Sequence, residues 1–113
     1  MTADYTKAIQ DHRIDLLCLI GQPVALIETF AKANYLMIEN IAVLPTYQGE
    51  GLGKRLIAHA EQLAVLSGCS EVKLDTNKLM VENMRLYQKL NFDIDREEEF
   101  KGGIAIHMSK PVE

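Results

Sequence analysis

Residues 40–56 read NIAVLPTYQGEGLGKRL, and this stretch decides the fold because it carries a strand, a sharp stop and a glycine-rich entry into a long helix. Ile41, Ala42 and Val43 close an apolar extended run, and Pro45 neither donates to a sheet ladder nor continues a helix. Gln48-Gly49-Glu50-Gly51-Leu52-Gly53 then packs three glycines into five residues. A helix start leaves about four backbone N–H groups unpaired and carries roughly half a positive charge, so a bare turn there suits a phosphate or pyrophosphate. The ligand class this points to is a phosphorylated cofactor.

Two phosphate motifs fit badly. A nucleoside-triphosphate loop needs G-x-x-x-x-G-K-[ST]; Gly53-Lys54 is present, but Gln48 and Arg55 replace the opening glycine and the closing hydroxyl residue. A dinucleotide fingerprint can start at Gly49-Glu50-Gly51, yet its third glycine would fall at Lys54. What remains is Gln48-x-x-Gly51-x-Gly53 after a strand ending Val43-Leu44-Pro45, which resembles motif A of the GNAT superfamily of N-acetyltransferases. A glycine cluster between strand and helix is sometimes only a tight turn. Residues 83–92, NMRLYQKLNF, add a second and separate resemblance, to the family's motif B, N-x-x-L-Y-x-K-L-G-F.

Composition bounds the rest. The 113 residues make a single domain, 1–113, with 1–12 as an N-terminal arm, and 48% hydrophobic content supports one core. With 25% charged residues and a formal charge of −4, there is no general basic field for nucleic acid, so cofactor phosphates must be met locally by backbone amides, Lys54 and Arg55. Cys18 and Cys69 are far apart and lack metal spacing, and His12, His59 and His107 are scattered, so no metal is expected. Both thiols read as core-filling residues. Without a signal peptide or a membrane-length apolar run, the expected setting is a soluble, reducing, cytoplasmic one.

Taken in order, residues 1–12 suggest one short helix or a frayed arm. Residues 13–20 and 24–30 read as strands around a Gly21-Gln22-Pro23 turn, and a turn at 31–34 leads to a third strand at 35–43. Strict alternation puts Tyr35, Met37, Glu39, Ile41 and Val43 on one face of it, and Leu36, Ile38, Asn40 and Ala42 on the other. Leu52, Leu56, Ala60, Leu63 and Ala64 mark a helix over 51–67, stopped by Gly68. Residues 69–76 form a strand parallel to 35–43, with the two splaying around the loop. A second helix at 82–90, with Met84, Tyr87 and Leu90 sharing a face with Met80 and Asn91 at its C-cap, precedes closing strands at 92–98 and 104–109 around Lys101-Gly102-Gly103. The fold class is α/β (α+β), a GNAT-like mixed, mostly antiparallel sheet with one splayed parallel pair and two main helices.

The resemblance covers roughly residues 13 to 110 and matches the family core from its second strand onward; the opening strand and first helix pair have no counterpart in the twelve residues before Arg13. It implies an acyl-CoA-dependent N-acetyltransferase that uses acetyl-coenzyme A and a primary amine, small-molecule or peptide, by direct attack. Backbone groups of Ile41, Ala42 and Val43 would meet the pantetheine arm, and Gln48, Gly49, Glu50, Gly51, Leu52, Gly53 and Lys54 the pyrophosphate. Asn83 matches the motif-B asparagine that contacts the cofactor arm, or is a surface residue of the helix start. Tyr87 matches the tyrosine that protonates the leaving thiolate, or is a core aromatic. Glu39, acidic within an apolar strand, is the candidate to take the amine proton, directly or through water, or a structural carboxylate. Asp93, Asp95, Glu97, Glu98 and Glu99 form an acidic run that either favours a cationic acceptor or keeps an edge strand soluble. The rival reading is a non-catalytic coenzyme A-binding or assembly module. An uncovered first edge and apolar flank imply a homodimer.

Overall fold

The computed structural model describes residues 12–112, so the short helix or arm expected before His12 lies outside the described residues. Strands β1 (Arg13–Leu19), β2 (Gln22–Lys32) and β3 (Tyr35–Val43) form an antiparallel meander. A turn of 3-10 helix at Pro45–Tyr47 follows, then helix α1 (Leu52–Leu66) and strand β4 (Glu71–Asn77). Helix α2 (Val81–Lys89) and the hairpin β5 (Asp93–Phe100) and β6 (Gly103–Pro111) complete the chain. The six strands order as β1-β2-β3-β4-β6-β5, with β3 and β4 the parallel pair. This is the mixed sheet with a parallel pair and two helices that the sequence implied.

Both crossovers, β3 to β4 and β4 to β5, advance the same way along the sheet, so right-handed connections put α1 and α2 on one face. The core lies there. Leu52, Leu56, Ile57, Ala60 and Ala64 of α1 pack with Ile27, Leu36, Ile38, Val72, Leu74, Ile106 and Met108 of the sheet. Tyr87 of α2 and Phe92 close the same cluster, their ring centroids 6.0 Å apart. Among the described residues no helix covers the opposite face.

The helix stops are built alike. After α1, Gly68 takes φ 76° and the Cys69 N–H bonds the Ala64 carbonyl at 2.8 Å. After α2, Asn91 takes φ 74° and the Phe92 N–H bonds the Tyr87 carbonyl at 2.9 Å. Each is a left-handed residue followed by an apolar one that folds back onto the core. Asn serves in place of glycine because its short polar side chain tolerates that conformation.

Three expectations need correction. The first turn is Ile20-Gly21, not Gly21-Gln22-Pro23, since Leu19 pairs with Gln22 and both Gln22 and Pro23 belong to β2. Cys18 is not a core residue but exposed, sitting where the β1 register shifts against Pro23; only Cys69 is buried. The face assignment of β3 fails at its centre. Asn40 pairs with Glu28 and Ile38 with Thr29, which leaves Glu39 as an unpaired bulge residue. Leu36, Ile38, Ile41 and Val43 therefore all turn toward the helices, and strict alternation does not hold across the bulge.

Candidate active site

Parallel pairing of β3 and β4 runs only from Tyr35–Glu71 to Ile38–Leu74. Beyond it the strands part, because the bulge at Glu39 bends β3 while β4 continues straight against β6 as far as Asn77–Ala105. The gap is a cleft of about 470 Å³ lined by Ile38, Glu39, Asn40 and Ile41 from β3 and by Leu74, Asp75, Thr76 and Asn77 from β4. Met80, Asn83 and Tyr87 of the α2 segment and Phe100, Ile104 and Ala105 of the closing hairpin complete it.

Four residues singled out from the sequence thus share one cleft: Glu39, Ile41, Asn83 and Tyr87. Tyr87 is 8% exposed, and burial pushes its phenol pKa above the usual value, so the proton stays on the oxygen through the neutral range. Among the described residues nothing bonds its hydroxyl, and no buried polar side-chain atom lacks a partner, so that hydroxyl is free to meet a ligand in the cleft. Asn83 is half-buried and makes only a weak 3.7 Å contact from Nδ2 to the Met80 sulfur. Glu39 is exposed, without a hydrogen bond among the described residues, so the desolvated environment expected for it is absent.

The glycine loop lies outside the cleft lining, at the start of α1. Gly49 and Gly51 take φ 84° and 82°, and Gly51 caps the helix in the left-handed region with no side chain bonding the first-turn N–H groups. A methyl group added at Gly49, Gly51 or Gly53 would meet nothing within 4 Å. These glycines are not packing against protein; the space they leave is open at the N-terminus of α1, where the first-turn N–H groups have no side-chain cap. Gln48 ties the loop back to β3 by donating from Nε2 to the Val43 carbonyl at 3.2 Å. Leu52 is a core residue through its side chain, while Glu50 and Lys54 are exposed.

Ala42 and Val43 are not brought into the cleft. They border a separate hollow of about 200 Å³ with Leu16, Val24 and Leu44, and Val43 pairs with Ala25. A larger hollow of about 900 Å³ beside α1, lined by Arg55, His59, Gln62 and Val112 among others, takes in Arg55 of the residues expected to meet phosphate and no other candidate. The acidic run lies on β5, the sheet's outer edge, with β6 between it and β4. Missed from the sequence were Asp75, Asn77, Met80 and Phe100 as cleft residues. For Asp75 a signal existed, since a carboxylate at that point of β4 faces the one at Glu39 if the parallel strands part there.

The comparisons with known proteins agree with this architecture. Glucosamine 6-phosphate N-acetyltransferase of Trypanosoma brucei brucei is 38% identical over 55 residues, covering 49% of this chain and 35% of that protein. Spermine/spermidine N(1)-acetyltransferase of Bacillus subtilis (strain 168) is 37% identical over 72 residues, 63% of this chain and 47% of that one. The matches thus span between a third and a half of these relatives' length. Among solved structures, a putative streptothricin acetyltransferase from Bacillus anthracis in complex with acetyl coenzyme A superposes with a TM-score of 0.84 at 29% identity, covering 89% of this chain and 62% of that one. Residues 3–92 match the acetyltransferase (GNAT) family as a whole, which includes the glycine loop, the splayed strands and α2, and the chain belongs to that family.

Proposed function

We propose that the protein is an N-acetyltransferase that moves the acetyl group of acetyl-coenzyme A to a primary amine. The observation that carries this is Tyr87: a buried ring that lines the cleft where β3 and β4 part, together with Glu39, Ile41 and Asn83. Bound there, the co-substrate supplies an activated thioester. The chain's residues do the rest. The amides from Gln48 to Lys54, with Gly49, Gly51 and Gly53 allowing close approach, hold the pyrophosphate. Backbone at Ile41 and the amide of Asn83 hold the arm. Val43 and Ala42 contribute by shaping β3 rather than by lining the cleft.

The amine attacks the thioester carbonyl directly, forming the C–N bond as the C–S bond breaks. Glu39, exposed at the bulge, takes the amine proton directly or through a water, and Tyr87 gives its proton to the departing sulfur and regains one from solvent. Residues 1–113 act as a single domain. A second copy covers the β1 edge, where Ile14 and Leu16 are 61% and 59% exposed.

The test is thiol release from acetyl-coenzyme A with spermidine, lysine, glucosamine 6-phosphate and a peptide amine as acceptors. Release with at least one amine is expected. Tight coenzyme binding without release from any would favour a coenzyme A-binding module instead.

A further inference from the structure

The last ladder pair of β3 and β4 is Ile38–Leu74, and the next residue on each strand is a carboxylate, Glu39 and Asp75. Both line the cleft with Tyr87, but they are held differently. Glu39 has no hydrogen bond among the described residues. Asp75 Oδ1 lies 2.6 Å from His107 Nδ1, its direct neighbour across the β4–β6 ladder. The other ring nitrogen, Nε2, lies 2.9 Å from Glu98 Oε1, and Glu98 also accepts from Arg96 Nη1 at 3.1 Å.

His107 thus bridges Asp75 on β4 and Glu98 on β5, with one carboxylate at each ring nitrogen. The His107 and Arg96 bonds hold the Glu98 carboxyl below its usual range, which keeps it an acceptor. The Arg96–Glu98–His107–Asp75 chain of contacts ends at Asp75, whose Oδ2 is unbonded among the described residues. Asp75 also lines a groove of about 490 Å³ with Tyr35, Lys73 and His107, so it borders both that groove and the cleft.

Resting on the acetyltransferase reading above, we infer that Asp75 is the acceptor-binding carboxylate: Oδ2 receives the substrate amine as an ammonium ion, while His107 and Glu98 are positioning residues that fix its direction. Glu39, unrestrained, is left to exchange the proton. The acceptor class is a cationic primary amine presented from the groove side of Asp75. A carboxylate already fixed by a hydrogen bond loses little freedom when it binds an ammonium.

Asn at position 75 keeps an oxygen for the His107 N–H and removes only the charge, so a role as a strand clip would survive Asp75→Asn. With the best amine of the panel, Asp75→Asn is expected to raise the amine KM by about ten- to a hundredfold, the range for losing a charge-assisted hydrogen bond. The acetyl-coenzyme A KM should stay within about twofold. His107→Gln, which leaves the carboxylate but loosens it, should raise the amine KM by less, and this second variant carries the test if the first fails to fold. An unchanged amine KM in a folded Asp75→Asn protein, or an equal rise in both KM values, overturns the assignment. Absence of transfer to any amine by the wild type overturns the acetyltransferase reading itself, and the assignment with it.

Discussion

Replacing Tyr87 by Phe removes one oxygen from a side chain that is 8% exposed, and the structure gives the expected sizes of both consequences. The ring keeps its place against Phe92, and no described group loses a hydrogen-bond partner, so stability near neutral pH should change by no more than about 0.5 kcal/mol. Turnover should fall by about a hundred- to ten-thousandfold, because the leaving sulfur then departs without its proton donor. Coenzyme affinity, set by the loop and β3, should hold, so the loss appears in kcat and equally in kcat/KM. An alkaline signature should accompany it. Burial raises the phenol pKa of the folded protein above the unfolded value of 10.0. The stabilisation associated with that shift is therefore intact below pH 10 and lost as pH rises from there toward the folded value, so the Phe variant should outlast the wild type in alkaline unfolding. Stopped-flow thiol release together with denaturant unfolding at neutral and alkaline pH measures all three quantities. Equal turnover numbers for the two proteins would return Tyr87 to a purely structural role.

At Gly51, φ is 82° and the added side chain has open space, so Gly51→Val costs about 1–2 kcal/mol or more in backbone strain without a clash. The fold should survive while calorimetric coenzyme affinity drops at least about tenfold; undiminished affinity would remove the loop from the site. Gly53 needs no left-handed backbone, and Gly53→Ala should leave thermal stability unchanged or raised by up to about 1 kcal/mol, with a lowered Tm contradicting the assigned helix start. Glu39→Gln should flatten the rise of rate with pH, whereas a profile identical to the wild type would assign proton removal to solvent. Light scattering over a dilution series should show a dimer, and a stable, fully active monomer at micromolar concentration would show that the β1 edge needs no partner.

Most of the fold was legible because its signals are local. The α1 stripe, the left-handed stops at Gly68 and Asn91, and the strand–glycine–helix order each depend on a few neighbouring residues, and each is where the sequence implied. What was not legible depends on pairing. Nothing in the composition of residues 35–43 marks Glu39 as unpaired, because a bulge is created by the partner strand's register. Ile38 and Ile41, three apart, consequently face the same side. Cys18 reads as apolar strand interior until its register slip against Pro23 is seen. The link from Asp75 through His107 to Glu98 joins residues far apart in sequence. It exists only because β6 inserts between β4 and β5.

The bulge accounts for more of the candidate site than any single side chain does. Without it, β3 would continue beside β4, and the backbone groups of Glu39 to Ile41 would face a ladder partner instead of a cleft. The two carboxylates, Glu39 and Asp75, would then be adjacent in a parallel register, with like charges side by side at a cost. With the bulge, the strands separate at the point where both carboxylates occur, so the cleft opens and the repulsion is relieved together. Ordered packing continues on either side: Leu36 and Ile38 against Val72 and Leu74 before the bulge, Ile41 and Val43 against Ile27 and Ala25 after it. An irregular backbone here is held by regular packing at both ends, and this allows the cleft to stay open without loosening the sheet.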